Sequence, residues 1–446
     1  MSAETKQIAA LTEDLLRYGK SRGATEMEVA IDEGTEFSVR VLNREVEKLT
    51  QAGSKGIALR VITDGRTATA SSSDFDRKTL YKLVDGAVAR ARLSGQDAFA
   101  GLPDLEKIAA GASALKIFDP AVTELPAEKK IALAQGVEAV GLSETGVTKS
   151  LGASCTSLVW SRFLANSKGF SGTYEKTVIA LGTAYQAGEG DNLFQDGWYD
   201  GASSVAALMD VEALGKRAAR QVTRLVGARK VPTQNVPVVL EPAMTGQILS
   251  FLARCLSGAA VDQRQSFLAG KLGEAVGNPL VTIVDDGLLP GGRATVPFDE
   301  EGVPSRTTTL VEKGVLKNYL LDTYYGRKLK LRSTGNASGP TNFYWAAGDK
   351  AREEILKSVE KGLLLTGTLG QGTVPTTGDI SVGAFGLWIE KGEVAFPVAE
   401  ITISGNLGEL LKGVEMVGND LEFRQAVTGP TVKFAQMTVG GTGSGA

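Results

Sequence analysis

Glycine punctuates this chain densely enough to bias its fold. It supplies 54 of 446 residues, against an ordinary share of about 7%, and several stand between runs of alternating apolar residues. Met27, Val29 and Ile31 alternate with polar neighbours, and Phe37, Val39 and Val41 repeat the pattern. Ile57, Leu59 and Val61 carry it into Asp64-Gly65, and residues 67–70 return. An Asp-Gly pair supplies the positive φ that a tight hairpin needs. Lys313-Gly314 separates residues 307–311 from 315–321 in the same way, and Lys391-Gly392 separates 384–390 from 394–398. Antiparallel hairpins are therefore favoured over long helices.

Helical spacing is present too. Ile8, Leu11, Leu15 and Tyr18 mark a helix over residues 4–22, and Leu80, Leu83, Val84, Ala87 and Val88 mark one over 76–93. Residues 127–144 predict a third helix and 202–226 a fourth, with Val211, Leu214, Ala218, Val222 and Leu225 inward. Residues 242–260 form an apolar helical segment, and shorter helices are expected at 351–361 and 407–414. Residues 157–163 read as a strand, 95–126 as a connecting segment and 187–201 as an exposed loop. The class expected is α+β. The length exceeds one typical core, and the polar, Pro-containing stretch 227–236 is the expected boundary. It divides an N-terminal α/β domain (1–228) from a strand-rich C-terminal domain (236–440).

Charge and cysteine usage narrow the function. A formal net charge of −3 gives no support to a sequence-independent grip on nucleic acid. The basic residues Lys216, Arg217, Arg220 and Arg224 read as one helix face meeting solvent or the other domain. Two cysteines, Cys155 and Cys255, form no C-x-x-C pair, as in a reducing compartment. No apolar run is long enough to span a membrane, and the N-terminus lacks the pattern of a signal peptide. The expected location is the cytoplasm.

The chain contains no histidine. A Ser-His-Asp triad, a Cys-His dyad and an H-E-x-x-H zinc site are thereby excluded. The carboxylates Asp285, Asp286, Asp299, Glu300 and Glu301 invite a cation or an acid–base pair, but they lack EF-hand spacing, and Asp-Gly and Glu-Gly pairs suit turns. Cys255 and Cys155 have no basic partner and read as buried structural thiols. The segments Gly370–Gly372 and Ser333–Ala337 match no phosphate loop; glycine-rich strand edges could instead admit a peptide by β-addition. The glycine-rich tail over 440–446 reads as a flexible terminus. Neither a cofactor nor a metal is expected.

The segments VTIVDDGLLPGG (281–292), FDEEGVPSRTTTLVEKGVLKNYLLDTYYGRKL (298–329), STGNAS (333–338), GLLLTGTLGQGTVPTTGDISVGAFGLWIEKGEVAFPVAEITISGNLGELL (362–411) and GNDLEF (418–423), with VLNREVEKLTQAGSKGIALRV (41–61), resemble the TldD/PmbA family, also called modulator of DNA gyrase. The resemblance implies a two-domain protein of a cytosolic proteolytic system in which TldD-like and PmbA-like (TldE) subunits pair. In that family the TldD-like subunit is a zinc peptidase with H-E-x-x-x-H on a helix and a cysteine near the C-terminus. Its substrates are unfolded peptides or peptide precursors. Set against that helix, residues 238–255 bring Ser250 and Cys255 to the histidine positions and Phe251 to the glutamate; no cysteine follows Gly418-Asn419-Asp420. The resemblance thus points to the non-metal subunit, paired with a TldD-like zinc subunit or with itself. The alternatives are a divergent peptidase built on the Asp285/Asp299 region or on Ser/Lys chemistry, and a protein that binds gyrase or its toxin inhibitors.

Overall fold

The computed structural model describes residues 3–370 and 372–441. Gln371 and the last five residues of the glycine-rich tail lie outside that range, so the reading of 440–446 as a flexible end concerns mostly residues not described.

The hairpin signals build a six-stranded antiparallel sheet. After helix α1 (Ala3–Ser21), strands β1 (Glu26–Leu42), β2 (Glu45–Thr63) and β3 (Arg66–Ser72) form a meander, followed by helix α2 (Arg77–Leu93). Helix α3 (Ala127–Leu142) then precedes a second meander, β4 (Val147–Asn166), β5 (Ser171–Ala187) and β6 (Phe194–Ala202), and helix α4 (Val211–Thr223) follows it. The strand order β3-β2-β1-β4-β5-β6 joins the two units through the antiparallel β1–β4 pair. A helix–meander–helix unit therefore occurs twice. Period-two alternation puts Met27, Val29, Ile31, Leu59 and Val61 on the face covered by Leu80, Val84, Ala87 and Val88. The Asp76 carboxylate accepts from Lys78 N and Thr79 N and starts α2. Phe37 and Val39 of β1 join Cys155, Ile179 and Leu181 of the second unit in packing against its helix residues Ala134, Val137 and Leu214.

Two sequence expectations change here. Most of residues 187–201, read as a loop, is strand β6, paired along its length with β5. Its polar and glycine residues sit on an edge strand, where a half-exposed face tolerates them. The helix expected over 202–226 is shorter: a single turn at Val205–Ala207 precedes α4, and Asp210 caps α4 by accepting from Glu212 N and Ala213 N.

In the C-terminal part, strand β7 (Gln234–Leu240) leads into helix α5 (Pro242–Leu256). Strands β8 (Ile283–Asp286), β9 (Thr307–Glu312), β10 (Val315–Leu316) and β11 (Phe343–Trp345) follow, then β12 (Lys361–Leu369), β13 (Thr373–Val374), β14 (Asp379–Glu390), β15 (Glu393–Asn406), β16 (Val414–Val417), β17 (Val427–Thr428) and β18 (Val432–Gly440). Strands β10, β9, β8, β11 and β17 form one sheet. In the other, β12-β7-β18-β15-β14 is closed by β14 pairing back to β12, so the strands make a barrel with β13 and β16 at its margins. Short helices at Arg352–Lys357 and Leu407–Lys412 match the expected ones. The Lys313-Gly314 turn is present, but its return strand is only two residues long.

The open face of the six-stranded sheet receives the C-terminal part. Phe298 is buried between Phe170 and Tyr174, with both ring centroids 5.1 Å away. Arg60 donates to Glu301 Oε1 at 2.8 Å and to Glu28 Oε2 at 3.4 Å, while Thr323 N donates to Glu301 Oε2 at 2.9 Å. Burial pushes the Glu28 carboxyl up to about 7, against the pull of Arg60 and with a push from Glu301. Burial raises Asp299 to about 6 in the same cluster.

Two outcomes follow. A Cβ added at Gly141 in α3 would lie 2.2 Å from Tyr185 Cζ, whereas one at Gly111 would meet nothing within 4 Å. Gly141→Ala should lower stability in denaturant titrations by about 1–3 kcal/mol through overpacking, and Gly111→Ala should change it by less than about 0.5 kcal/mol. For Glu28 the native carboxyl holds its proton above its ordinary 4.5, so between about pH 4.5 and 7 the folded state binds more protons than the unfolded one and stability falls as pH rises. Glu28→Gln should flatten that decline; an unchanged pH profile would show that Glu28 does not titrate there.

Candidate functional site

Helix α5 follows β7 through Glu241 and Pro242, and Pro at the first helical position suits its fixed φ. Its buried residues are Met244, Thr245, Gly246, Ile248, Leu249, Phe251, Leu252, Ala253, Cys255 and Leu256. Phe251, Leu252 and their neighbours belong to a core shared with Val238, Leu240, Leu363 and Leu365 of the barrel and with Phe343 and Trp345 of β11. One stripe stays exposed: Ala243, Gln247, Ser250 and Arg254, spaced as one face of an α-helix.

That stripe borders two cavities. One, of ≈ 260 Å³, has Met244, Ile248, Phe251, Leu365 and Ile380 as its apolar wall and Gly370, Gly372 and Thr373 at its rim. The other, of ≈ 370 Å³, has Asp322, Tyr325, Asn336 and Gly339 opposite the helix. Ser250 and Arg254 line both. The Ser250 hydroxyl donates to Gly246 O at 2.9 Å, one turn back on its own helix. Arg254 Nη2 donates to Thr373 Oγ1 at 2.7 Å, and its guanidinium lies 5.5 Å from the Phe251 ring centroid. Asn336 Nδ2 donates to Asp285 Oδ2 at 2.7 Å, while its Oδ1 is buried without a partner.

The three residues singled out in sequence are thus divided by the helix. Ser250 faces the cavities; Phe251 is 2% exposed and Cys255 0%. Burial pushes the Cys255 thiol up to about 12, opposed by Arg254, and the Cys155 thiol to about 11, opposed by Lys130. Neither is a thiolate near neutral pH. The residue that shares the face of Ser250 is Arg254, four positions on. The i, i+4 spacing from Ser250 is the signal for it that the sequence carries.

The carboxylate cluster is separated as well. Asp299 accepts from the backbone N–H groups of Glu301, Val303 and Ala337, and Asp285 accepts from Thr341 N and Oγ1. Asp286 accepts from Leu288 N and Thr307 Oγ1. Glu301 serves Arg60, and Glu300 stands 3.9 Å from Arg162 with most of its side chain exposed. These carboxylates hold turns and the Ser333–Ala337 loop. Among the described residues, no group of three or more His, Cys, Asp or Glu is placed to hold a metal ion.

Known proteins give the arrangement its setting. Three family models match in chain order: PmbA/TldA metallopeptidase domain 1 over residues 27–91, the central domain over 120–226 and the C-terminal domain over 233–441. The first two fall on the two helix–meander–helix units. Metalloprotease PmbA of Escherichia coli O157:H7 is 32% identical over 96% of this chain and 94% of its own. A metalloprotease TldD homolog of Haemophilus influenzae is 25% identical over 87% of each chain. The crystal structure of a putative modulator of DNA gyrase from Bacteroides thetaiotaomicron superposes with a TM-score of 0.92 at 27% identity, covering 99% of this chain and 100% of that one. On this evidence the chain belongs to the PmbA/TldD metallopeptidase family.

Proposed function

We propose that this chain is the PmbA/TldE-type subunit of a cytoplasmic TldD/PmbA-type peptidase, that it holds no zinc, and that it acts with a TldD-like zinc subunit on unfolded peptides or peptide precursors. The observation that carries the reading is the state of α5. Catalytic zinc takes about three protein ligands with an open position. On α5 the Ser250 hydroxyl is bound to its own helix, Phe251 has no donor atom, and the Cys255 thiol is buried and protonated. Arg254 adds a permanent cation beside Ser250, which opposes a dication at that place. The residues present do not fit zinc.

What remains is a surface suited to holding a chain. Gln247, Ser250 and Arg254 offer polar groups between an apolar cavity and the exposed short strand β13. Backbone groups at such an edge can pair with an extended peptide while the cavity takes a side chain. The subunit would steady and enclose a peptide whose bond is broken on the partner. The greater similarity to a PmbA (32%) than to a TldD homolog (25%) supports this assignment.

Cleavage assays test it. The purified chain should leave an unfolded peptide such as carboxymethylated casein intact, and adding the TldD-like subunit should start chelator-sensitive cleavage. Chelator-sensitive cleavage by the isolated chain would overturn the proposal.

A further inference from the structure

A second site lies away from α5, in the cleft between α4 and the C-terminal part. Two adjoining cavities, of ≈ 740 and ≈ 820 Å³, meet at Met209, Ala213 and Glu422. Their walls carry the cations Lys216, Arg217, Arg220, Arg224, Arg352, Arg293 and Arg424. Part of this charge is already met: Lys216 pairs with Glu212, Arg424 with Asp200, and Arg224 and Arg352 with Glu241. Glu241 takes both Nη groups of Arg224, at 2.8 and 2.9 Å, and Arg352 Nη2 at 2.6 Å. Asp420 accepts from Thr431 N and Oγ1, and Asp210 caps α4. Glu422 comes no closer than 3.8 Å to Arg217, and Glu353 stands exposed at the rim.

Donors are left over. Among the described residues, the Arg220 guanidinium has no ion-pair or hydrogen-bond partner; its backbone carbonyl accepts from Arg224 N. Arg293 donates nothing from its side chain, and its Nη1 is buried. Arg224 Nε and Trp198 Nε1 are likewise buried and unpartnered. The Arg217 guanidinium stands 3.9 Å from the Trp198 ring centroid. Buried N–H groups without acceptors are uncommon and costly. Several in one connected cleft point to an occupant that brings acceptors and negative charge.

We infer that this cleft binds an acidic peptide segment. Two joined cavities along a cleft suit an extended chain bearing several carboxylates better than one compact anion, and planar guanidinium groups are well matched to carboxylates. Of the stripe on α5 the site shares only Ala243, which carries no polar side-chain group, so it stands or falls apart from the reading of the subunit's role.

Fluorescence anisotropy on the full chain tests it, with a labelled ten-residue peptide rich in glutamate as probe. The acidic peptide should bind, lysine-rich and uncharged peptides of the same length should not, and 0.5 M salt should weaken the binding. Arg220→Ala, on the exposed side of α4, should weaken it by roughly tenfold, as loss of a charge-assisted contact does. Arg293→Ala should do the same, while Lys129→Ala on α3 should leave it unchanged. Should Arg293→Ala fail to fold, Arg220→Ala alone decides. Equal affinity for all three peptides, or no loss in Arg220→Ala, would overturn the inference. So would displacement by pyrophosphate with no dependence on peptide length, which would assign the cleft to a compact phosphate anion.

Discussion

The burial of helix α5 is the constraint on which the rest of the C-terminal part depends. A fifteen-residue helix with ten buried positions must be enclosed almost completely, and the closed barrel and the β8–β11 sheet provide that enclosure. Burying side chains of the size of Phe251, Leu249 and Leu252 is worth about 1.5–3 kcal/mol each, so the helix is a structural core before it is anything else. The narrow stripe that escapes burial is where chemistry could be placed. In this chain it carries Gln247, Ser250 and Arg254, none of which is a general base or a customary zinc ligand.

The N-terminal sheet plays a different part. Its two helix–meander–helix units join along β1 and β4, and the face left free by the helices takes the loop bearing Phe298 and Glu301. The carboxylates that stand out in the sequence are spent at this junction and in nearby turns: Glu301 on Arg60, Asp299 on three backbone N–H groups, Asp285 on Thr341 and Asn336. Such groups are buried because they are fully engaged, which is why a cluster that is dense in sequence does not become a metal site in space.

Local signals accounted for much of the architecture. Periodicity located α1, α2 and α3 within a residue or two, and the Asp-Gly and Lys-Gly pairs located three hairpin turns. The misreadings share one cause. The segment holding β6 is rich in glycine and acidic residues and becomes a strand only because β5 supplies its partner. The barrel also needs the parallel pairing of β12 with β7, more than a hundred residues apart in sequence, which no local pattern announces. The twofold recurrence of the N-terminal unit was hidden for the same reason, since its second copy was two strands short when read from sequence. At the site, the missing histidine was legible at once. That Ser250 and Arg254 share a face while Phe251 and Cys255 turn inward required the helix to be set against its neighbours.

The account's central claim is that this subunit holds no zinc and that any catalytic metal belongs to its partner. Metal analysis after dialysis against micromolar zinc tests it most directly, with the isolated chain and its complex with a TldD-like subunit measured side by side. The account predicts negligible zinc on the isolated chain and about one zinc per complex, as a single catalytic centre requires. Stoichiometric zinc on the isolated chain would contradict it.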